Sequence, residues 1–292
     1  MARKSIFELL NEERNIKEEI ERVDKLFEMP LIEAHYSGGQ ATLTEFANRT
    51  WFRAWKSRGR FIDADDFLSA VGYKRILKKQ FPDANDLLTI IEIVCNLIHQ
   101  TLRYMGGEYG SQGMYLGFQF TADAVRLSEI LQDELSFFGY KSSYDEDTET
   151  NIIIERKPEA TAVAEIVPPT LAKSVLRYNQ FTLKGDIGTK KTILHQIGDA
   201  LEPQRKALAQ IENKLSDRIF WMLNNLNIRH NNVTVGNKSY VAKVAAMSSE
   251  ELEAWYDDLY QMMLLAFLKL DNVERMKRTE TLRNEITGGT NG

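Results

Sequence analysis

From Asp186 to Leu270 the apolar residues return every three or four positions, and this spacing restricts the second half of the chain to packed helices. Ile193, Leu194, Ile197 and Leu201 form one stripe. Leu208, Ile211, Leu215, Ile219, Met222, Leu223 and Leu226 form the next, and Pro203 divides the two as a kink or as the first turn of a second helix. After a polar loop of about fifteen residues, Ser248-Ser249-Glu250-Glu251 is a helix-start signal. Leu252, Trp255, Leu259, Met262, Met263, Ala266, Phe267 and Leu270 then repeat at helical spacing. The tail from Asn272 is charged and ends in Gly288-Gly289 and three further residues, a composition that predicts a frayed tip.

The first half is also predominantly helical in pattern. Ser5 and Glu8 match a capping box, and a charged amphipathic helix is expected from there to Met29, stopped by Pro30. Gly38-Gly39 opens a loop. Thr42 to about Arg60 reads as one helix in which Trp51, Phe52 and Trp55 alternate with Arg49, Arg53, Lys56, Arg58 and Arg60. Such interleaving suits either single-stranded nucleic acid or a packing helix with a solvated charged face. Asp63 and Asp65-Asp66 start a short helix, Pro82 the first turn of one running to Tyr104, and Thr121 or Asp123 one ended by Gly139. The period then changes. Tyr140–Tyr144 and Asn151-Ile152-Ile153-Ile154, on either side of an acidic turn, predict a β-hairpin.

The expected fold is therefore mainly α, with helical bundles and one small β-hairpin near residues 140–157. Pro158 and Pro168-Pro169 suggest a boundary that separates an N-terminal helical region, 1–156, from a C-terminal bundle, 157–292. The net charge of −5 excludes a globally basic nucleic-acid binder but not a local basic patch. Cys95 is the single cysteine, so no disulfide within the chain is possible, and its apolar setting reads as a buried, inert thiol. With no uncharged apolar run near membrane-spanning length and no signal-peptide pattern, a cytoplasmic protein without a membrane partner is expected.

The most concentrated polar stretch is Asn224-Asn225-Leu226-Asn227-Ile228-Arg229-His230-Asn231-Asn232, at the end of the second stripe. Arg229 offers a fixed fork of donors for a phosphate. An imidazole such as His230 can exchange a proton with a ribose 2′-hydroxyl or a leaving 5′-oxygen near neutral pH. Asn227, Asn231 and Asn232, with Lys190 and Lys191 upstream, are candidates to orient RNA. The same residues also suit a helix end, where Asn tolerates the left-handed conformation and a cationic His faces the helix dipole. The four histidines include no His-Glu-x-x-His or Cys/His spacing, so neither a metal site nor a cofactor is expected.

A long helix, an Arg-polar pair at its end, a loop and an apolar last helix, over roughly residues 170–270, resemble the C-terminal half of HEPN-type helical domains. That resemblance implies a metal-independent endoribonuclease of toxin or abortive-infection type, built as a homodimer, with RNA as substrate and an antitoxin or activator protein as partner. Arg229 matches the family's Arg, and His230 occupies the adjacent polar position. No His follows His230, so the family's catalytic His has no counterpart, with Thr234 or Val235 in that region. Either His230 itself moves the proton, or the chain is a binding-only relative. The competing expectation is a non-catalytic helical protein whose terminal helices and Met262-Met263 face serve dimerisation or partner binding.

Overall fold

The structure is a computed structural model that describes residues 14–35, 38–109 and 117–288. It is mainly α-helical with two small antiparallel sheets, and divides into two compact units, Met1–Ile154 and Glu155–Gly292.

The first unit begins with α1 (Ile16–Phe27), capped by the Asn15 side chain, which accepts from Lys17 N at 3.1 Å. The expected Ser5/Glu8 cap lies outside the described residues. Three short strands follow an arrangement that the sequence does not announce: β1 (Ile32–Ala34) lies between β2 (Gln40–Ala41) and β3 (Phe118–Phe120), antiparallel to both. The single helix expected over 42–60 is instead α2 (Leu43–Arg49) followed by two turns of 3₁₀ helix. A Thr42/Glu45 capping box starts α2, and the chain leaves helical geometry at Thr50. That break turns Trp51, Phe52 and Trp55 inward, where all three are buried, while Arg49, Arg53, Lys56 and Arg60 stay exposed. The rings are thus core, not a stacking platform for bases.

Two short helices, α3 (Ala64–Ala70) and α4 (Tyr73–Leu77), lead to α5 (Ala84–Met105). The α5 start is a reciprocal cap between Asp83 and Asp86, two residues later than Pro82 suggests, and Lys79 Nζ lies 2.6 Å from Asp86. Leu87, Leu88, Ile90, Ile91, Val94 and Leu97 make α5 the central core helix, each contributing about 1.5–3 kcal/mol of burial. After α6 (Ala122–Phe137), Gly139 takes φ +77° and opens the hairpin of β4 (Tyr140–Asp145) and β5 (Thr150–Glu155). The buried Asn96 amide of α5 pairs with both backbone groups of Asn151, at 2.7 and 2.8 Å, and fixes that hairpin.

The second unit is built mainly of helices. It contains α7 (Pro158–Ile166), α8 (Pro169–Tyr178), α9 (Ile187–Leu201), α10 (Arg205–Asn225), the short α11 (Ala242–Ala245) and α12 (Ser249–Gly288). Pro158 and Pro169 each sit in a first helical turn, so the proline-punctuated segment carries helices, α7 among them. Pro203 lies in a 3₁₀ turn between α9 and α10. The α12 start is a capping box: Ser248 N donates to Glu251 at 2.9 Å and Glu251 N to Ser248 Oγ at 3.2 Å. α12 packs on α7, α9 and α10 through Tyr256, Leu259, Tyr260, Met263 and Phe267. α9 and α10 approach closely at Gly198, where a Cβ would meet Leu223 Cδ1 at 2.9 Å. No helix among the described residues is long and apolar enough to cross a membrane.

Candidate functional site

α10 ends at Asn225, and the chain turns back through Asn227 with φ +58°, the left-handed conformation that Asn tolerates better than most residues. The reversal is held internally. Leu226 N donates to Met222 O at 2.9 Å, Arg229 N to Leu223 O at 3.0 Å, and Tyr256 Oη to Leu226 O at 3.0 Å. Asn232 is buried. Its Oδ1 accepts from Asn227 N at 2.8 Å, its Nδ2 donates to Ser239 O at 2.7 Å, and its carbonyl accepts from Val241 N at 2.8 Å. The Asn227 Oδ1 accepts from Asn232 N at 3.3 Å. Asn231 is exposed, and its Oδ1 accepts from Thr234 N at 3.0 Å in a local turn. The amides expected to face RNA at Asn227 and Asn232 are therefore committed to the loop's own backbone. A buried amide left unpaired costs about 1–3 kcal/mol, which is why they are.

Arg229 is mostly buried, its side chain 16% exposed. Nη1 donates to Glu202 and Nη2 to Asp199 at 3.3 Å, while the guanidinium lies 5.6 Å from the centre of the Phe220 ring. His195, one turn before Asp199 on α9, places Nδ1 3.0 Å from the second Asp199 oxygen. Arg205 lies 3.7 Å from Glu202. The imidazole linked to Arg229 through a shared carboxylate is thus that of His195, while His230 next in sequence is exposed. Two carboxylates offset the guanidinium charge and would repel a phosphate brought to it. Asp199 and Glu202 escape a reading of the sequence because they lie 30 and 27 positions from Arg229.

Lys190 also departs from expectation. It is buried, with Nζ 2.7 Å from Glu253 and 2.8 Å from Asp257 of α12, and is not a surface contact for RNA. Tyr178 donates to Asp257 at 2.8 Å and stacks on Tyr260 with centroids 4.1 Å apart. Burial and the Asp257 carboxylate both push the Tyr178 hydroxyl well above the usual tyrosine range, so it stays a neutral donor. Burial would raise the Glu253 pKa, but the bonds from Gly185 N and Lys190 overcome it and leave the Glu253 carboxyl below its usual range. Lys191, by contrast, is half-buried. No group of three or more His, Cys, Asp or Glu among the described residues is placed to hold a metal ion.

A second feature lies on the other side of the α10 end. A cleft of about 740 Å³ opens between α10, α11 and α12. Met222, Leu226, Val244, Met247 and Met262 line its apolar floor, and Trp221 and Trp255 line it while 59% and 47% exposed. Arg218, Lys243 and Asp258 lie among the same lining residues. Indole rings left this open are costly in apolar surface, and exposed apolar concentrations of this kind mark binding sites.

Comparison with protein-family profiles, with curated proteins and with solved structures finds no match for this chain.

Proposed function

We propose that the unit Glu155–Gly292 is a non-catalytic helical recognition module that engages a protein partner through the cleft between α10, α11 and α12. The observation that carries this reading is the pair of exposed indoles, Trp221 and Trp255, lining an apolar cleft rich in methionine. Methionine adapts to irregular partners, and tryptophan supplies large contact area at low entropic cost. The cell compartment assigned to it is the cytoplasm. The test compares the wild-type chain with Trp221→Ala/Trp255→Ala. Both should show the same helicity, and only the wild type should form a defined complex of higher mass. A folded double variant that associates as the wild type does overturns the assignment.

A second reading is metal-independent RNA cleavage of the toxin or abortive-infection type, with an antitoxin or activator as partner. It is favoured by one observation: Asp199 bonds both His195 Nδ1 and Arg229, which leaves the other imidazole nitrogen for proton transfer. His230 is exposed, and Lys191 is half-buried. The neutralised Arg229 makes it the weaker of the two. RNA incubated with EDTA-treated protein should remain intact if recognition is the function. Cleavage that survives chelation and disappears in Arg229→Ala, His195→Ala or His230→Ala would establish the enzyme instead.

A further inference from the structure

The face of α12 turned away from the unit's core carries a second pattern. From Trp255 to Ile286, alternating steps of three and four residues trace a stripe that is largely exposed, with Met262 half-buried against the core and Lys269 3.3 Å from Glu212 of α10. Tyr256, Leu259, Tyr260, Met263 and Phe267 occupy the opposite side and are buried. On the stripe, Trp255 is 47%, Leu265 45%, Met276 62% and Ile286 66% exposed. From Glu274 to Thr287 every side chain is exposed. An isolated helical segment of that length is marginal in water, and most helical stability comes from packing an apolar face.

The stripe is complementary to itself when reversed. With a two-fold axis between Leu270 and Asp271, Trp255 falls opposite Ile286, Leu265 opposite Met276, and Met262 opposite Thr279. Asp258 falls opposite Arg283, and Lys269 opposite Asn272. Trp255 and Leu265, the exposed apolar residues of the N-terminal half, thus each meet an exposed apolar residue of the C-terminal half, and the one acid on the stripe meets a base. A seven-residue repeat is the spacing that keeps two helices in contact along their length. In this register the exposed C-terminal end of one α12 runs beside the Trp255–Met262 wall of the other copy's cleft, whose α10 side adds Trp221.

Resting on the recognition reading above, we propose that the partner is a second copy of this chain, bound through antiparallel pairing of the two α12 helices about Leu270 and Asp271. The two-fold makes the contact closed and self-limiting, a dimer.

Sedimentation equilibrium tests this with the full chain. The wild type should sediment at twice the chain mass. Asp258→Arg and Arg283→Asp each place like charges opposite one another twice per dimer. Each alone should weaken dimerisation by roughly tenfold or more, from the like-charge and lost-pair terms together. Combined in one chain, the two restore opposite charges and should return dimerisation to the wild-type range. Both positions are exposed, so helicity should not change. A monomeric wild type, or a dimer that the single changes leave intact or the combination fails to restore, overturns the proposal. A monomeric wild type whose hetero-complex is lost in Trp221→Ala/Trp255→Ala overturns the self-pairing alone and leaves the recognition reading standing.

Discussion

The most informative perturbation of the first unit is Glu134→Gln. Glu134 on α6 is 1% exposed at its side chain and faces Glu19 of α1, which is also buried. Arg14 forms an ion pair with Glu134 through Oε1, and Arg22 lies 2.8 Å from Glu19 Oε2. Burial first, then the negative charge of Glu19, push the Glu134 carboxyl up from 4.5 to about 7 against the pull of Arg14 and Arg22. The sign follows from proton counting. Below pH 4.5 the group is neutral folded or unfolded, and its native environment costs nothing. Between 4.5 and 7 the folded chain holds a proton that the unfolded chain has released, so stability falls as pH rises, and above 7 the loss is complete. An unscreened shift of this size corresponds to about 3 kcal/mol, and solvent reaching Arg14 reduces the expected loss to about 1–2 kcal/mol.

Other groups titrate in the same window. His99 has its pKa lowered by burial and by Arg103, which makes stability rise with pH up to about its ordinary 6.5, opposite to Glu134. The decisive quantity is therefore the difference between wild type and Glu134→Gln, in which His99 cancels. Trp221→Phe/Trp255→Phe removes the exposed indoles and leaves Trp51 and Trp55, both buried in the first unit, as reporters of urea unfolding. At pH 5 the Gln variant mimics the protonated acid and should match the wild type. At pH 8 it should be more stable by about 1–2 kcal/mol, because it removes the repulsion with Glu19. A difference independent of pH, or a variant less stable at pH 8 than at pH 5 relative to wild type, refutes the assignment of a raised pKa to Glu134.

Three further outcomes are expected. Lys190→Met should destabilise the second unit by about 2–4 kcal/mol, because it leaves Glu253 and Asp257 without their cation. Adding Glu253→Gln should recover part of that loss in urea unfolding. Asn232→Ala should cost about 1–3 kcal/mol by stranding Asn227 N and Ser239 O, whereas Asn227→Gly should cost less, about 1 kcal/mol, because glycine accepts φ +58° freely and only the longer bond from Asn232 N is lost. The Cys95 thiol, raised by burial to about 12, should resist iodoacetamide at pH 8 in the folded chain and react once urea is added.

Where the fold was legible, one local signal sufficed. The stripes of α9, α10 and α12 and the Ser248 start of α12 are short-range patterns, and so is the hairpin with its three isoleucines. The β1–β3 sheet was not legible, since strands of two and three residues contain too few alternations to show a period. The break at Thr50 was hidden because Trp51, Phe52 and Trp55 still fit a helical spacing. At the candidate site, the left-handed turn at Asn227 was readable from residue type alone. The partners of Arg229 were not, because a carboxylate 27 or 30 positions away leaves no trace in spacing.

The same limit explains why cations mislead a reading of sequence and why α12 does the reverse. A basic residue in a polar stretch looks alike whether it awaits an anion or already holds one, and only the carboxylates within reach in space separate the cases. α9 supplies them to Arg229, and α12 to Lys190. In α12 the local pattern contained more than one interface could use. Leu252, Trp255, Leu259, Met262, Met263, Ala266, Phe267 and Leu270 read as a single stripe, but they divide between two sides of the helix. Leu259, Met263, Ala266 and Phe267 are buried against the unit, while Trp255 belongs with the exposed Leu265 and Met276. A surface helix needs one apolar face to dock on its own core. An additional apolar face, continued at the same repeat into an exposed segment, is what the proposed antiparallel pairing of two α12 helices would cover.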